Sequence, residues 1–162
     1  MKAMRYQPKD SGLCGPVALQ NALLALGKRA SLKRLIALSN ASDSRGTSQH
    51  GIIRAGRALG LEVEEFSWDK DREARQWLLS NATLGIPTIL CVDNWEHWIA
   101  VAGHCGPRVW LFDSTNEPEN TRENGAWCLT PAEVTRRWKA AKGTAGDSPR
   151  FYGISIQKIK DR

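Results

Sequence analysis

Gln7-Pro8-Lys9-Asp10-Ser11-Gly12-Leu13-Cys14-Gly15-Pro16-Val17-Ala18-Leu19-Gln20-Asn21-Ala22-Leu23 is the stretch on which the reading of this chain turns. Its first half reads as a flexible run and its second as a helix with almost no polar face. Gly12 and Gly15 flank the thiol, and Pro16 is tolerated only in a first helical turn. From Val17 to Leu26 the polar residues are Gln20 and Asn21, so the helix is expected to be buried nearly all round. Gly27 supplies its stop. Cys14 therefore falls at the N-terminus of a central helix, where unpaired N–H groups and the positive end of the macrodipole favour a thiolate. Cysteines at helix N-termini or beside a histidine titrate at roughly pH 3.5–7.5, well below the free thiol. A cysteine packed at a helix start for structural reasons satisfies the same pattern, so the rest of the chain must decide.

The chain has 162 residues, enough to bury a core without staples, and a single domain over residues 1–162 is expected. No run approaches the roughly 18 apolar residues of a membrane span. Met1-Lys2-Ala3-Met4-Arg5-Tyr6 is basic without an apolar core behind it, so no signal peptide is evident and a cytoplasmic address is expected. The four cysteines, Cys14, Cys91, Cys105 and Cys128, show neither CxxC pairing nor metal-ligand spacing. No metal or cofactor is expected, and in a cytosolic chain these thiols would be reduced. The net charge of +6 comes from basic residues scattered over helix faces, such as Lys33, Arg34, Arg54, Arg136 and Arg137. Without an aromatic-interleaved motif they read as a solvated surface, and nucleic acid is not the expected partner. A monomer is the default.

Beyond the first helix, Ser31 caps a second amphipathic segment through Leu38. Asn40 to Gln49 reads as a polar loop, and His50 opens a third helix to Leu59, stopped by Gly60. Leu61 to Trp68 alternates as a strand. Asp71 to Asn81 reads as a helix with Trp77, Leu78 and Leu79 packing inward. Ile86 to Val92 is an apolar run of the kind found inside a sheet, and Trp98 to Gly103 and Arg108 to Asp113 are two more. Asn116 to Gly125 is loop-like, and Thr130-Pro131-Ala132-Glu133 is a capping-box start for a helix through Trp138. Gly143 to Pro149 reads as a linker before a last strand from Phe151 to Ile159. Helices first and strands second predict an α+β fold with a mainly antiparallel sheet.

The two strands around His104-Cys105-Gly106-Pro107 form a hairpin if those four residues are its turn. Residues equidistant from the turn then oppose each other, which sets His97 opposite Asp113, with Cβ atoms about 5 Å apart. Ile99, Val101, Val109 and Leu111 share that face, toward a core. A base beside a carboxylate is half of a catalytic triad. A polar pair at a sheet margin would look the same, and a one-residue shift in the turn would separate it.

A helix-start cysteine, a strand histidine and a carboxylate one hairpin away resemble the papain-like cysteine peptidases, and more closely the C39 and C39-like peptidase group. Bacterial members of that group cut leader peptides after a double glycine. The matching pieces are Gln7 upstream of Cys14-Gly15-Pro16-Val17-Ala18-Leu19, then His97-Trp98-Ile99-Ala100-Val101, then Leu111-Phe112-Asp113. The resemblance spans residues 6 to 114. It implies Cys14 as nucleophile, His97 as general base and then acid, Asp113 as the group that orients the imidazole, and Gln7 as side-chain donor of an oxyanion hole. Trp95 and Trp98, beside His97, are candidates for the walls of a substrate groove. The chain departs from the family pattern in several places. Leu13 stands where the leader peptidases usually carry an acidic residue, Gln7 lies about one residue farther from the cysteine, and Ser114 replaces a frequent proline. Leader peptidases of the group are commonly fused to a membrane transporter and these 162 residues include none, so double-glycine specificity is not expected to come with the resemblance. Asn116 is a candidate substitute for Asp113 as orienter, and the resemblance implies a peptide or protein substrate as the partner.

The expected activity is hydrolysis of a peptide or isopeptide bond through a thioester acyl-enzyme. Transfer of the acyl group to an amine, as in transglutaminase-like chemistry, uses the same intermediate. A non-catalytic peptide-binding module on the same fold is the reading from a different class.

Overall fold

The computed structural model describes residues 4–9, 11–115, 126–140 and 150–159. Helices α1 (Cys14–Ala25), α2 (Leu32–Ser39) and α3 (Gln49–Ala58) come first. Strand β1 (Leu61–Trp68) and helix α4 (Asp71–Thr83) follow, then strands β2 (Thr88–Val92), β3 (His97–Cys105), β4 (Arg108–Phe112) and β5 (Trp127–Leu129). Helix α5 (Pro131–Trp138) and strand β6 (Phe151–Lys158) close the chain. The strands form one antiparallel sheet in the order β1-β6-β2-β3-β4-β5, so the last strand inserts between β1 and β2. This is the α+β architecture that the sequence pattern predicts.

Helices cover both faces of the sheet. On one, Leu19 and Leu23 of α1, Leu35 of α2 and Ile52 of α3 pack with Cys91, Ala100 and Ile154. On the other, Leu78 of α4 and Val134 and Trp138 of α5 pack with Leu90, Ile99, Val101 and Phe151. A strand buried on both faces needs apolar residues without alternation. Every residue of β2 is buried, which accounts for the run Ile89-Leu90-Cys91-Val92.

Local chemistry sets the helix starts. Ser31 and Ser48 accept from Arg34 N–H and Gly51 N–H, each at 3.2 Å, and Thr130 and Glu133 complete a capping box with Pro131 in the first turn. Helix α1 has no side-chain cap. Its anchor is burial, from Cys14 through Leu19, as its apolar composition predicts. Asn21, itself buried, accepts from Arg5 N–H at 2.8 Å and donates to Arg5 C=O at 3.0 Å. That pair of bonds lays the N-terminal segment, with Gln7, along α1.

The hairpin between β3 and β4 differs from its expected register. Gly106 and Pro107 alone make the turn, Cys105 pairing with Arg108. Gly106 takes φ +63°, which glycine adopts without a Cβ clash. An irregularity between Val101 and His104, where Gly103 takes φ +73°, then shifts the pairing so that Val101 faces Leu111. Continued, that register sets Asp113 across from Ile99 and diagonal to His97. The offset is two residues, so both stay on the expected face.

Other expectations change as well. Leu79 is 37% exposed, while Leu78 is fully buried; the helix turns Leu79 outward. Strand β5 is an addition at the sheet edge, too short to read from pattern. Cys105 and Cys128 form a disulfide, contrary to the reduced thiols expected, because β5 lies beside β4 and brings Cys128 near the hairpin tip. The loop from Asn116 to Gly125, with the substitute orienter Asn116, and the linker from Gly143 to Pro149 lie outside the described residues. Among the described residues no helix is long and apolar enough to cross a membrane.

Candidate active site

Cys14, His97, Asp113 and Gln7 come from four separate segments and meet at one end of the sheet. Cys14 opens α1, His97 opens β3, and Asp113 follows β4. His97 Nε2 lies 2.8 Å from Asp113 Oδ1. The Cys14 thiol lies beside the same ring, close enough that each group shifts the titration of the other. With Nε2 engaged by the carboxylate, Nδ1 is the nitrogen left to face the sulfur. The ring thus joins the two layers of the molecule: Asp113 follows β4 beyond Leu111, which packs on one face, and Cys14, the first residue of α1, packs on the other.

Asp113 is fully buried, and an ionised carboxylate there must be compensated. Its Oδ1 also accepts from Thr115 N–H at 3.0 Å and Thr115 Oγ1 at 2.8 Å, and its Oδ2 pairs with Arg137 Nη1. Burial pushes this carboxyl up, but the His97 bond, the Thr115 N–H and the Arg137 charge hold it well below the usual range. Asp113 is therefore an acceptor only, and Nε2 carries the proton between them. Burial on its own lowers His97; the bonds to Asp113 and Cys14 outweigh that and raise it from 6.5 to about 9. Burial raises the Cys14 thiol, but the His97 bond, the Trp98 N–H, the His97 charge and the Gly15 N–H together bring it below its ordinary value. Thiol and imidazole each stabilise the charged form of the other, so they titrate as a pair.

The segment before Cys14 is fixed by close approach. A Cβ at Gly12 would stand 2.5 Å from the Asp43 carbonyl oxygen, and one at Gly15 would stand 2.7 Å from Thr47 Cβ. Gln7 Nε2 donates to Ser11 C=O at 2.8 Å, and its Oε1 accepts from Ser114 Oγ at 2.7 Å. The backbone adds Gln7 N–H to Ser114 C=O at 3.3 Å.

The two tryptophans are placed differently. Trp98 is 6% exposed and donates through its indole N–H to Thr47 C=O at 2.9 Å, so it is core packing and not a groove wall. Trp95 is half-buried against Tyr152, ring centroids 5.3 Å apart. Free Cys91, paired across the sheet with Trp98, is pushed up to about 12 by burial and by the neighbouring Cys14 and Asp93.

The family model described as the peptidase C39 family matches residues 5–125. The chain belongs to the peptidase C39 family. Among solved structures it is similar to the peptidase domain of Streptococcus ComA, a bi-functional ABC transporter involved in a quorum sensing pathway. That match has a TM-score of 0.67 and 19% identity over 98% of this chain and 99% of that one. A double glycine motif protease from an AMS/PCAT transporter, solved with its leader peptide, matches at TM-score 0.66 and 16% identity, over 98% of this chain and 93% of that one. A C39-like peptidase from Bacillus anthracis matches at TM-score 0.64 and 12% identity, over 99% and 96%. Among curated proteins no relative matches the chain. At these identities the structural matches establish the papain-like C39 fold.

Two features of this C39 site are absent from the sequence reading. Arg137 reads as one more basic residue in the last turn of a helix; its contact with Asp113 exists only once α5 has docked. Thr115 carried a local signal, because Asp side chains often accept from the N–H two residues on.

Proposed function

We propose that this C39 protein is a cysteine peptidase that hydrolyses a peptide or isopeptide bond through a thioester on Cys14. The observation carrying this reading is the His97–Asp113 hydrogen bond beside Cys14, with the thiol lowered and the imidazole raised by their interaction. The thiolate attacks the carbonyl carbon, and the developing oxyanion takes hydrogen bonds from the Cys14 N–H and from Gln7. Of the two Gln7 Nε2 hydrogens one is used on Ser11, which leaves one for the oxyanion. His97, protonated, gives its Nδ1 proton to the leaving amine as the C–N bond breaks. Water then attacks the thioester, losing a proton to the now neutral His97, and the free acid departs as the thiol returns. Asp113 stays ionised and holds the ring through Nε2–H. The leader peptide bound to the AMS/PCAT neighbour supports a peptide as the substrate class for this chain.

The test is cleavage of a proteome-derived peptide mixture, read as new peptide termini by mass spectrometry, for the native protein and for Cys14→Ala. New termini that need Cys14 are expected. Peptides retained by both proteins and cut by neither would replace this reading with a binding module.

A further inference from the structure

We propose that Arg137 is a positioning residue, its guanidinium bridging Asp113 to Asp93 so that the carboxylate and the turn that carries His97 are held as one unit. The proposal rests on the reading of His97 and Asp113 as base and orienter. Arg137 uses all three of its nitrogens. Nε reaches Asp93 Oδ1 and Oδ2 at 2.9 and 3.1 Å, Nη2 reaches Asp93 Oδ2 at 2.6 Å, and Nη1 pairs with Asp113 Oδ2. A planar fork meets two carboxylates in this way, whereas a lysine offers one nitrogen.

Each carboxylate matters to His97 by a different route. Asp113 has His97 and both Thr115 donors on Oδ1, which leaves Oδ2 to Arg137. With both oxygens held, the carboxylate cannot rotate and exchange them. Asp93 begins the turn that delivers His97. Asp93, Asn94 and Trp95 take φ of 54°, 57° and 71°, three successive left-handed residues without a glycine. Such residues cost energy and persist where surrounding contacts over-determine them. Arg137 supplies those contacts from α5, its carbonyl accepting from Asp93 N–H at 3.2 Å and its side chain clamping the Asp93 carboxylate. The charged groups around the pair are thus Cys14, Asp93, Asp113 and Arg137, with Thr115 neutral.

The test is Arg137→Met, read by proton NMR and by turnover of a cleaved peptide. The chain has three histidines, and His50 and His104 are exposed, so a protected downfield imidazole proton belongs to His97 Nε2–H, with His97→Ala as control. Expected in Arg137→Met are loss of that signal and a fall in kcat on the order of 10²-fold with KM little changed, the scale of a catalytic group set slightly out of place. An unchanged signal and kcat in a folded Arg137→Met protein overturns the proposal. Where Arg137→Met fails to fold, Arg137→Lys keeps the charge on α5 and loses the fork. A weakened signal and a kcat down about 10-fold then support bridging, and native behaviour overturns it. The NMR signal needs no substrate, so native protein without turnover would sink the peptidase reading while leaving Arg137 tested.

Discussion

Asp113 and Ser114 are consecutive residues that hold two different side chains of the site. Asp113 Oδ1 lies 2.8 Å from His97 Nε2, and Ser114 Oγ donates to Gln7 Oε1 at 2.7 Å. One dipeptide after β4 therefore sets both the imidazole and the amide. Ser114 is 3% exposed, and its bond decides which end of the Gln7 amide faces Ser11. Ser114→Ala is expected to leave the thiolate intact and to lower kcat by letting the amide flip. Gln7→Ala is expected to lower kcat by about 10²–10³, the cost of one oxyanion donor. Steady-state kinetics on a cleaved peptide, alongside alkylation of Cys14, check both.

The pH dependence has a defined sign. On the proposed mechanism turnover requires the Cys14 thiolate with a protonated His97. It is expected to rise as Cys14 ionises below its ordinary 9.0 and to fall as pH climbs through about 9, where His97 deprotonates. In folding stability the raised His97 contributes fully below its unfolded value of 6.5, and the contribution is lost as pH rises through about 9. The depressed Asp113 contributes above its unfolded value of 3.8, and that contribution is lost as pH falls below it. Denaturant melts between pH 3 and 10, native against His97→Ala and Asp113→Asn, read these two limbs separately.

The Cys105–Cys128 disulfide closes a separation of 23 residues between β3 and β5. Loop-closure entropy assigns such a bridge about 3 kcal/mol, and at roughly 2–4 °C per kcal/mol for a chain of this size its loss moves Tm down by about 10 °C. Thermal melts with and without reductant, against the Cys105→Ala/Cys128→Ala double variant, measure this. An insensitive Tm would mean that β4 and β5 hold together without it.

Gly12→Ala forces a Cβ to 2.5 Å from the backbone oxygen of Asp43, which cannot give way as a flexible side chain would. A loss of about 1–3 kcal/mol is expected, together with slower alkylation of Cys14, since this segment leads directly into Cys14. A denaturant melt and a labelling rate on the same sample report both effects.

The Cys14 end of the fold was legible because burial leaves a plain mark. Val17 to Leu26 is apolar around nearly its whole circumference, and that occurs only in a helix buried on nearly every side. The pairing of His97 with Asp113 was legible by face and not by register. Alternation survives a two-residue offset, whereas the actual turn at Gly106-Pro107 and the irregularity near Gly103 leave no periodic signature. Arg137 and Cys128 were not legible. Their roles arise from the docking of α5 and β5, and neither the last turn of α5 nor a three-residue strand encodes its distant neighbour. Trp98 misled for a simple reason: its nearness to His97 in sequence suggested the groove, while strand alternation points its ring into the core beneath α1.

The most direct measurement is the alkylation rate of Cys14 against pH, read residue by residue by mass spectrometry, with Cys91 as the internal control and His97→Ala as the comparison. Cys14 is expected to label far faster than Cys91 at pH values below the ordinary thiol range, with an advantage that shrinks in His97→Ala. Equal labelling of the two thiols, or a Cys14 profile unmoved by His97→Ala, would contradict the account.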